Sequence, residues 1–150
     1  MIKQVNHIGI STADLDRSIG FYRDLMGLEL RLCRPFGNND IDTITGLKDA
    51  KGRVALLKIG DTELEIFEFS NPAAKTSDPG RPVCDHGITH ICFEVTDIQS
   101  EYERLSAAGV HFHCQPQNAG SVKATYGRDP DGNVFELLEV FNREIPSVNQ

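Results

Sequence analysis

The sequence predicts an α+β fold built from two tandem βαβββ modules, and three observations carry that prediction. The chain contains an internal repeat, each copy passes from a strand-like to a helix-like period and back, and its composition is that of an ordinary globular domain. At 150 residues, with 39% hydrophobic and 25% charged side chains, the chain is long enough to bury a core without disulfide or metal staples.

The repeat is visible by eye. NHIGISTADLDRSIGFYRDLMGLEL begins at Asn6, and THICFEVTDIQSEYERLSAAGVHF begins at Thr89. Aligned on His7 and His90, both copies place an aspartate seven residues on, Asp14 and Asp97. Both then run through a helical pattern to a glycine, Gly27 or Gly109, and into an alternating segment. KIGDTELEIFEF and DPDGNVFELLEV continue the echo, with Glu65 and Glu136 each three positions after a turn residue. The first copy is longer, consistent with an insertion around 34–52.

Taken in order, residues 4–10 read as the first strand. Leu15, Ile19, Tyr22 and Met26 form a helical stripe, with Ser11 and Asp14 as a loose cap. Strands follow at 28–33, 53–59 and 62–70, with a short helix expected within 34–53. The Pro- and Gly-rich stretch 71–86 reads as a linker. The second copy offers a strand at 87–95 and a helix with the stripe Ile98, Tyr102 and Leu105, opened by a Thr96–Gln99 capping box. Its remaining strands are expected at 110–115, 122–127 and 134–141.

Charge narrows the partners. Fifteen basic against 22 acidic residues give a net charge of −7, which disfavours a nucleic-acid surface. No apolar run approaches the ~20 residues that span a bilayer, and MIKQVNHIGI lacks the apolar core of a secretory signal, so a cytoplasmic location is expected. Cys33, Cys84, Cys92 and Cys114 show no paired spacing and read as reduced, mostly buried thiols.

The chemistry rests on four residues. His7 and His90 occupy equivalent first strands, and Glu65 and Glu136 equivalent last strands. Two imidazoles and two carboxylates suit a divalent metal. In ELEIFEF the alternation puts Glu65 on one face with Glu63, Phe67 and Phe69; in VFELLEV it puts Glu136 with Val134 and Leu138. A carboxylate among apolar neighbours is costly unless something pairs with it.

These segments, with the closing DPDGNVFELLEV, resemble the vicinal oxygen chelate superfamily, which includes glyoxalase I, methylmalonyl-CoA epimerase, extradiol dioxygenases, fosfomycin-resistance transferases and bleomycin-binding proteins. The resemblance covers His7 to Val140 and implies a single domain over 1–150, with modules at about 4–70 and 87–141. It implies a cupped, barrel-like mixed sheet around a metal-binding cleft and, commonly, a homodimer. Carried over, it makes His7, Glu65, His90 and Glu136 the ligands of one divalent ion, with Zn, Ni, Co, Mn and Fe(II) all compatible.

With all four positions filled, the pattern is most similar to the glyoxalase and epimerase branches. These are lyases or isomerases that remove a proton next to a metal-chelated carbonyl of a small substrate. Glu136 and Glu65 are then the candidate bases. One departure is DTITGLKDAKGRVALLK, standing where the epimerases carry a Glu-Gln-Gly-Val type segment. The alternatives are an Fe(II) extradiol dioxygenase using His7, His90 and Glu136, with Tyr126 matching that pattern's active-site tyrosine, and a bleomycin-type binding protein; a thiol transferase ranks behind both. His111 and His113 lie two apart on a strand, a spacing that resembles a cupin motif without its glutamate. His86 reads as a surface residue, Cys92 as a pocket lining, and Phe36 and Ile44 as rim residues.

Overall fold

The computed structural model describes residues 1–75 and 78–141. Backbone contacts divide the chain into two compact units, Met1–Ser77 and Asp78–Gln150. Positions 76 and 77 of the expected linker lie outside the described residues.

In the first unit, β1 (His7–Ser11) leads through α1 (Leu15–Ile19) into a π-helical turn over Gly20–Leu25. Then come β2 (Glu29–Phe36), α2 (Asn39–Thr45), β3 (Lys51–Ile59) and β4 (Thr62–Asn71). The sheet order is β1-β4-β3-β2, with β1 parallel to β4 and the other pairs antiparallel. One face carries Leu64, Ile66, Ala55 and Leu57, all buried, and packs against α1 with Leu15, Ile19 and Tyr22. The stripe read from sequence is therefore the core-facing side, and the opposite face is left without a helix from this unit.

The second unit repeats the plan. Its elements are β5 (Ile91–Glu94), α3 (Ile98–Ala107), β6 (His111–Phe112), β7 (Gln117–Ala119), β8 (Val122–Arg128) and β9 (Val134–Val140). The order is β5-β9-β8-β6, with β7 pairing the other end of β8. Phe93, Phe135 and Leu137 are buried with Ile98 and Leu105 of α3. Each unit is thus a βαβββ module within an α+β fold, with the strand expected at 110–115 reduced to β6 and a further short strand, β7, following at 117–119. Among the described residues, no helix is long and apolar enough to cross a membrane.

Several local expectations are corrected. The helix caps are not Ser11 and the Thr96–Gln99 box but the repeated aspartates themselves: Asp14 accepts from the Arg17 N–H and Asp97 from the Ser100 N–H. An aspartate directly before the first helical residue reaches the N3 amide better than a residue set further back. The strand expected at 110–115 ends at Phe112, and pairing with β8 resumes in β7 only after Pro116, which has no N–H to give the ladder. The first strands are also shorter than expected, so His7 opens β1 and His90 stands just before β5.

The four cysteines are free, as expected, but exposed rather than buried. Cys33 lies on the edge strand β2, Cys84 in the linker, Cys114 in the β6–β7 break, and Cys92 on the face that α3 does not cover. Their positions override the usual burial of a small thiol.

Candidate metal and substrate site

The face left free of helices is where the predicted residues lie. Parallel pairing of β1 with β4 sets His7 against Glu63 and Gly9 against Glu65, so the His7 and Glu65 side chains rise from neighbouring strands. The His7 Nε2 comes within 3.4 Å of Glu65 Oε2. In the second unit, Cys92 is the β-partner of Glu136, and the His90 Nε2 lies 3.0 Å from Glu136 Oε2. The repeat in sequence is therefore a repeat in geometry: each sheet presents one imidazole nitrogen and one carboxylate oxygen.

Each imidazole is also held from behind by the residue before it. The His7 Nδ1–H donates to Asn6 Oδ1 at 2.9 Å, and His90 Nδ1 lies 2.9 Å from the Thr89 hydroxyl. Both arrangements engage Nδ1 and turn Nε2 toward the glutamate, as the outer partner of a ligating histidine does. Sequence reasoning missed these two residues. The signal was present in the matched Asn6–His7 and Thr89–His90 dipeptides.

The donor set can be tested against a metal directly. Two ligands 2.0–2.2 Å from a tetrahedral ion stand about 3.3–3.6 Å from each other. The His7–Glu65 separation of 3.4 Å falls within that range, and the His90–Glu136 separation of 3.0 Å is a little shorter. Each pair offers two donor atoms, and among the described residues no group of three or more His, Cys, Asp or Glu gathers to hold an ion. The structure thus brings the four predicted residues together as two pairs.

The second pair is the drier one. Glu136 keeps 16% of its side chain exposed, against 23% for Glu65, and His90 keeps 25%, against 45% for His7. Tyr126 is the strand partner of Glu136, and its ring lies tilted against His90, with ring centres 4.8 Å apart. It belongs to the site face rather than to the core. Burial, then Glu136 and Cys92, raise the Tyr126 pKa above its ordinary value, so the hydroxyl stays protonated and can donate. Cys92 counts as exposed, yet the protein packed around its sulfur and the carboxylate of Glu136 push the thiol up to about 12. A thiol so hard to ionise is a poor nucleophile.

The first pair has aromatic neighbours. Phe67 and Phe69 follow Glu65 on the same face, and Phe36 packs edge-on against both at 5.4 and 5.3 Å. Phe36 therefore lies with these aromatic rings, and Ile44 on α2 is 78% exposed. Of the other histidines, His86 is exposed in the linker, where its carbonyl accepts from Arg81. His113, set aside at the level of sequence, lies 6.2 Å from the Tyr126 ring.

Comparison with known proteins agrees with this reading of the fold. The family model described as Glyoxalase/Bleomycin resistance protein/Dioxygenase superfamily matches residues 4–137. A lactoylglutathione lyase of Haemophilus influenzae is 31% identical over 141 residues, covering 91% of this chain and 92% of that protein. A 2-epi-5-epi-valiolone epimerase of an Actinomyces species is 29% identical over 152 residues, covering 91% of this chain and 79% of that protein. Among solved structures, a glyoxalase family protein of Bacillus cereus matches with a TM-score of 0.86 over 95% of this chain and 97% of its own. At 23% identity, that likeness speaks to the fold.

Proposed function

The chain belongs to the Glyoxalase/Bleomycin resistance protein/Dioxygenase superfamily, and on that footing we propose that it is a metal-dependent lyase or isomerase that removes a proton next to a carbonyl of a small substrate. The observation that carries this reading is the twofold His–Glu pair, His7 with Glu65 and His90 with Glu136. These four residues would hold one divalent ion, with the two pairs drawn from one chain or from two chains of a homodimer. A bound ion supplies Lewis-acid polarisation of the substrate carbonyl. The relatives named lyase and epimerase support this reaction class.

The protein's own groups account for the proton. Glu136, the less exposed carboxylate, accepts it from the C–H beside the carbonyl and returns it to the same or the neighbouring carbon. Protons balance, and no oxidant is consumed. Tyr126, protonated and beside Glu136, donates a hydrogen bond to a substrate oxygen. Asn6 and Thr89 keep the imidazoles turned so that Nε2 faces the carboxylates.

A second reading has one observation in its favour: Tyr126 stands between His90 and His113, an arrangement also suited to orienting a catechol for ring cleavage. One experiment separates the two. Metal content is measured on untagged protein, and 2-oxoaldehyde–thiol adducts, acyl-CoA thioesters and catechols are assayed in deuterated buffer with an oxygen electrode. The expected result is one divalent ion per four-ligand site and solvent deuterium entering the substrate without oxygen uptake. His90→Ala abolishes metal binding while His86→Ala leaves it intact, and Glu136→Gln slows exchange by about 100-fold or more. Oxygen uptake with catechol only in the Fe(II) form overturns the proposal in favour of the dioxygenase. Full activity without metal sinks both.

A further inference from the structure

On the helix-free face of the second sheet, the row that starts at His90 and Glu136 does not stop at Tyr126. Arg128 follows two residues along β8, and its strand partner on β6 is His111. The His111 and His113 rings lie 6.4 Å apart, and His113 lies 6.2 Å from Tyr126. Three nitrogen-bearing side chains that carry or accept positive charge are thus collected beside the proposed reaction centre.

No carboxylate among the described residues answers them. The Arg128 guanidinium donates to the carbonyls of Pro79, Gly132 and Arg81, which fixes its position without neutralising its charge. Among the described residues, neither Arg128 nor His111 nor His113 has a carboxylate partner. Glu136, on the same face, is engaged by His90. Cationic groups set directly opposite each other on paired strands are unfavourable alone, and an anion between them relieves the repulsion. Burial first, then the charges of Arg128 and His111, lower the His113 pKa below its ordinary value.

We propose that His111, His113 and Arg128 form an oxyanion subsite that takes a carboxylate or phosphate group of the substrate, one Tyr126 ring away from His90 and Glu136. The two imidazoles supply N–H donors, and Arg128 supplies fixed charge. The subsite rests on the proposed function only for its role in catalysis, because oxyanion binding there needs no metal. A substrate bearing such a group would be anchored by it, leaving its carbonyl end toward Glu136.

The test uses metal-free full-length protein at about pH 5 to 6, because burial and the neighbouring cations hold the His113 pKa below its ordinary value. Imidazole resonances are followed by NMR while inorganic phosphate, then acetate, is added. Saturable shifts at His111 and His113, with little change at His86, are expected. His111→Gln/His113→Gln should weaken the affinity by roughly tenfold or more, since charge-assisted hydrogen bonds are lost, while His86→Gln leaves it unchanged. Tighter phosphate assigns a phosphorylated substrate and tighter acetate a carboxylate. Absence of saturable shifts at the two imidazoles, or undiminished affinity in the double variant, overturns the subsite. Because metal content and solvent exchange are measured separately, failure here leaves the reading of the His–Glu pairs standing, and the reverse holds too.

Discussion

Glu68 sits three positions beyond Glu65 on β4, so it points to the opposite, helix-covered face. There its Oε1 accepts from the Leu15 N–H at the start of α1, and its Oε2 accepts from Arg53, whose guanidinium also holds Asp16. Arg53 first, and the Leu15 amide with it, lower the Glu68 pKa below the ordinary carboxylate value, against burial and the charge of Asp14. The sign follows from linkage. A carboxylate whose folded pKa is depressed adds stability above its unfolded pKa, and that stability is lost as pH falls through the folded value. Urea midpoints of the parent and Glu68→Gln should therefore differ at about pH 6 and converge toward about pH 3. A gap that stays constant across this range would show that Glu68 acts through shape rather than charge.

At the scale of elements, the same device recurs in the second unit, where Glu139, three beyond Glu136, accepts from the Ile98 N–H at the start of α3. Each E-x-x-E run thus divides its work, one carboxylate facing the proposed substrate and the next pinning a helix. β3 carries a further constraint. A Cβ on Gly52 would collide with the Glu68 carbonyl and meet the Phe36 ring at 3.0 Å. Only a glycine lets Phe36 lie over β3 and reach Phe67 and Phe69. Gly52→Ala should cost about 1–3 kcal/mol, the usual penalty of overpacking, and should release Phe36, which is read by urea unfolding and by the Phe36 ring resonances. An unchanged midpoint would mean that β3 and β4 part easily at this point.

For the molecule as a whole, two cores of similar make are expected to matter equally. Ile66 in the first unit and Leu137 in the second are 0% and 1% exposed, each central to the face beneath its helix. Ile66→Ala and Leu137→Ala should each destabilise by about 2–5 kcal/mol, because a buried aliphatic truncation loses transfer energy and leaves a cavity. Hydrogen exchange should show the larger loss of protection in the sheet that carries the change. A small effect at one site would mark that core as free to collapse around the void.

Much of this was legible in residue order alone. The duplication, the βαβββ order, the core stripes and the faces of Glu65 and Glu136 all follow from periods of two and 3.6, which are local properties of the backbone. The histidines and glutamates could be matched between copies because the repeat keeps their offsets. Strand pairing is not local, and it decided the rest. Register across β1–β4 and β5–β9 turned matched offsets into two His–Glu contacts. It also left the cysteines exposed at edges and breaks, and it laid His111 opposite Arg128 and His113 beside Tyr126, where no spacing along the chain would have joined them. Sequence sets which groups each strand can offer to a face, and only the paired sheet sets which of those groups meet.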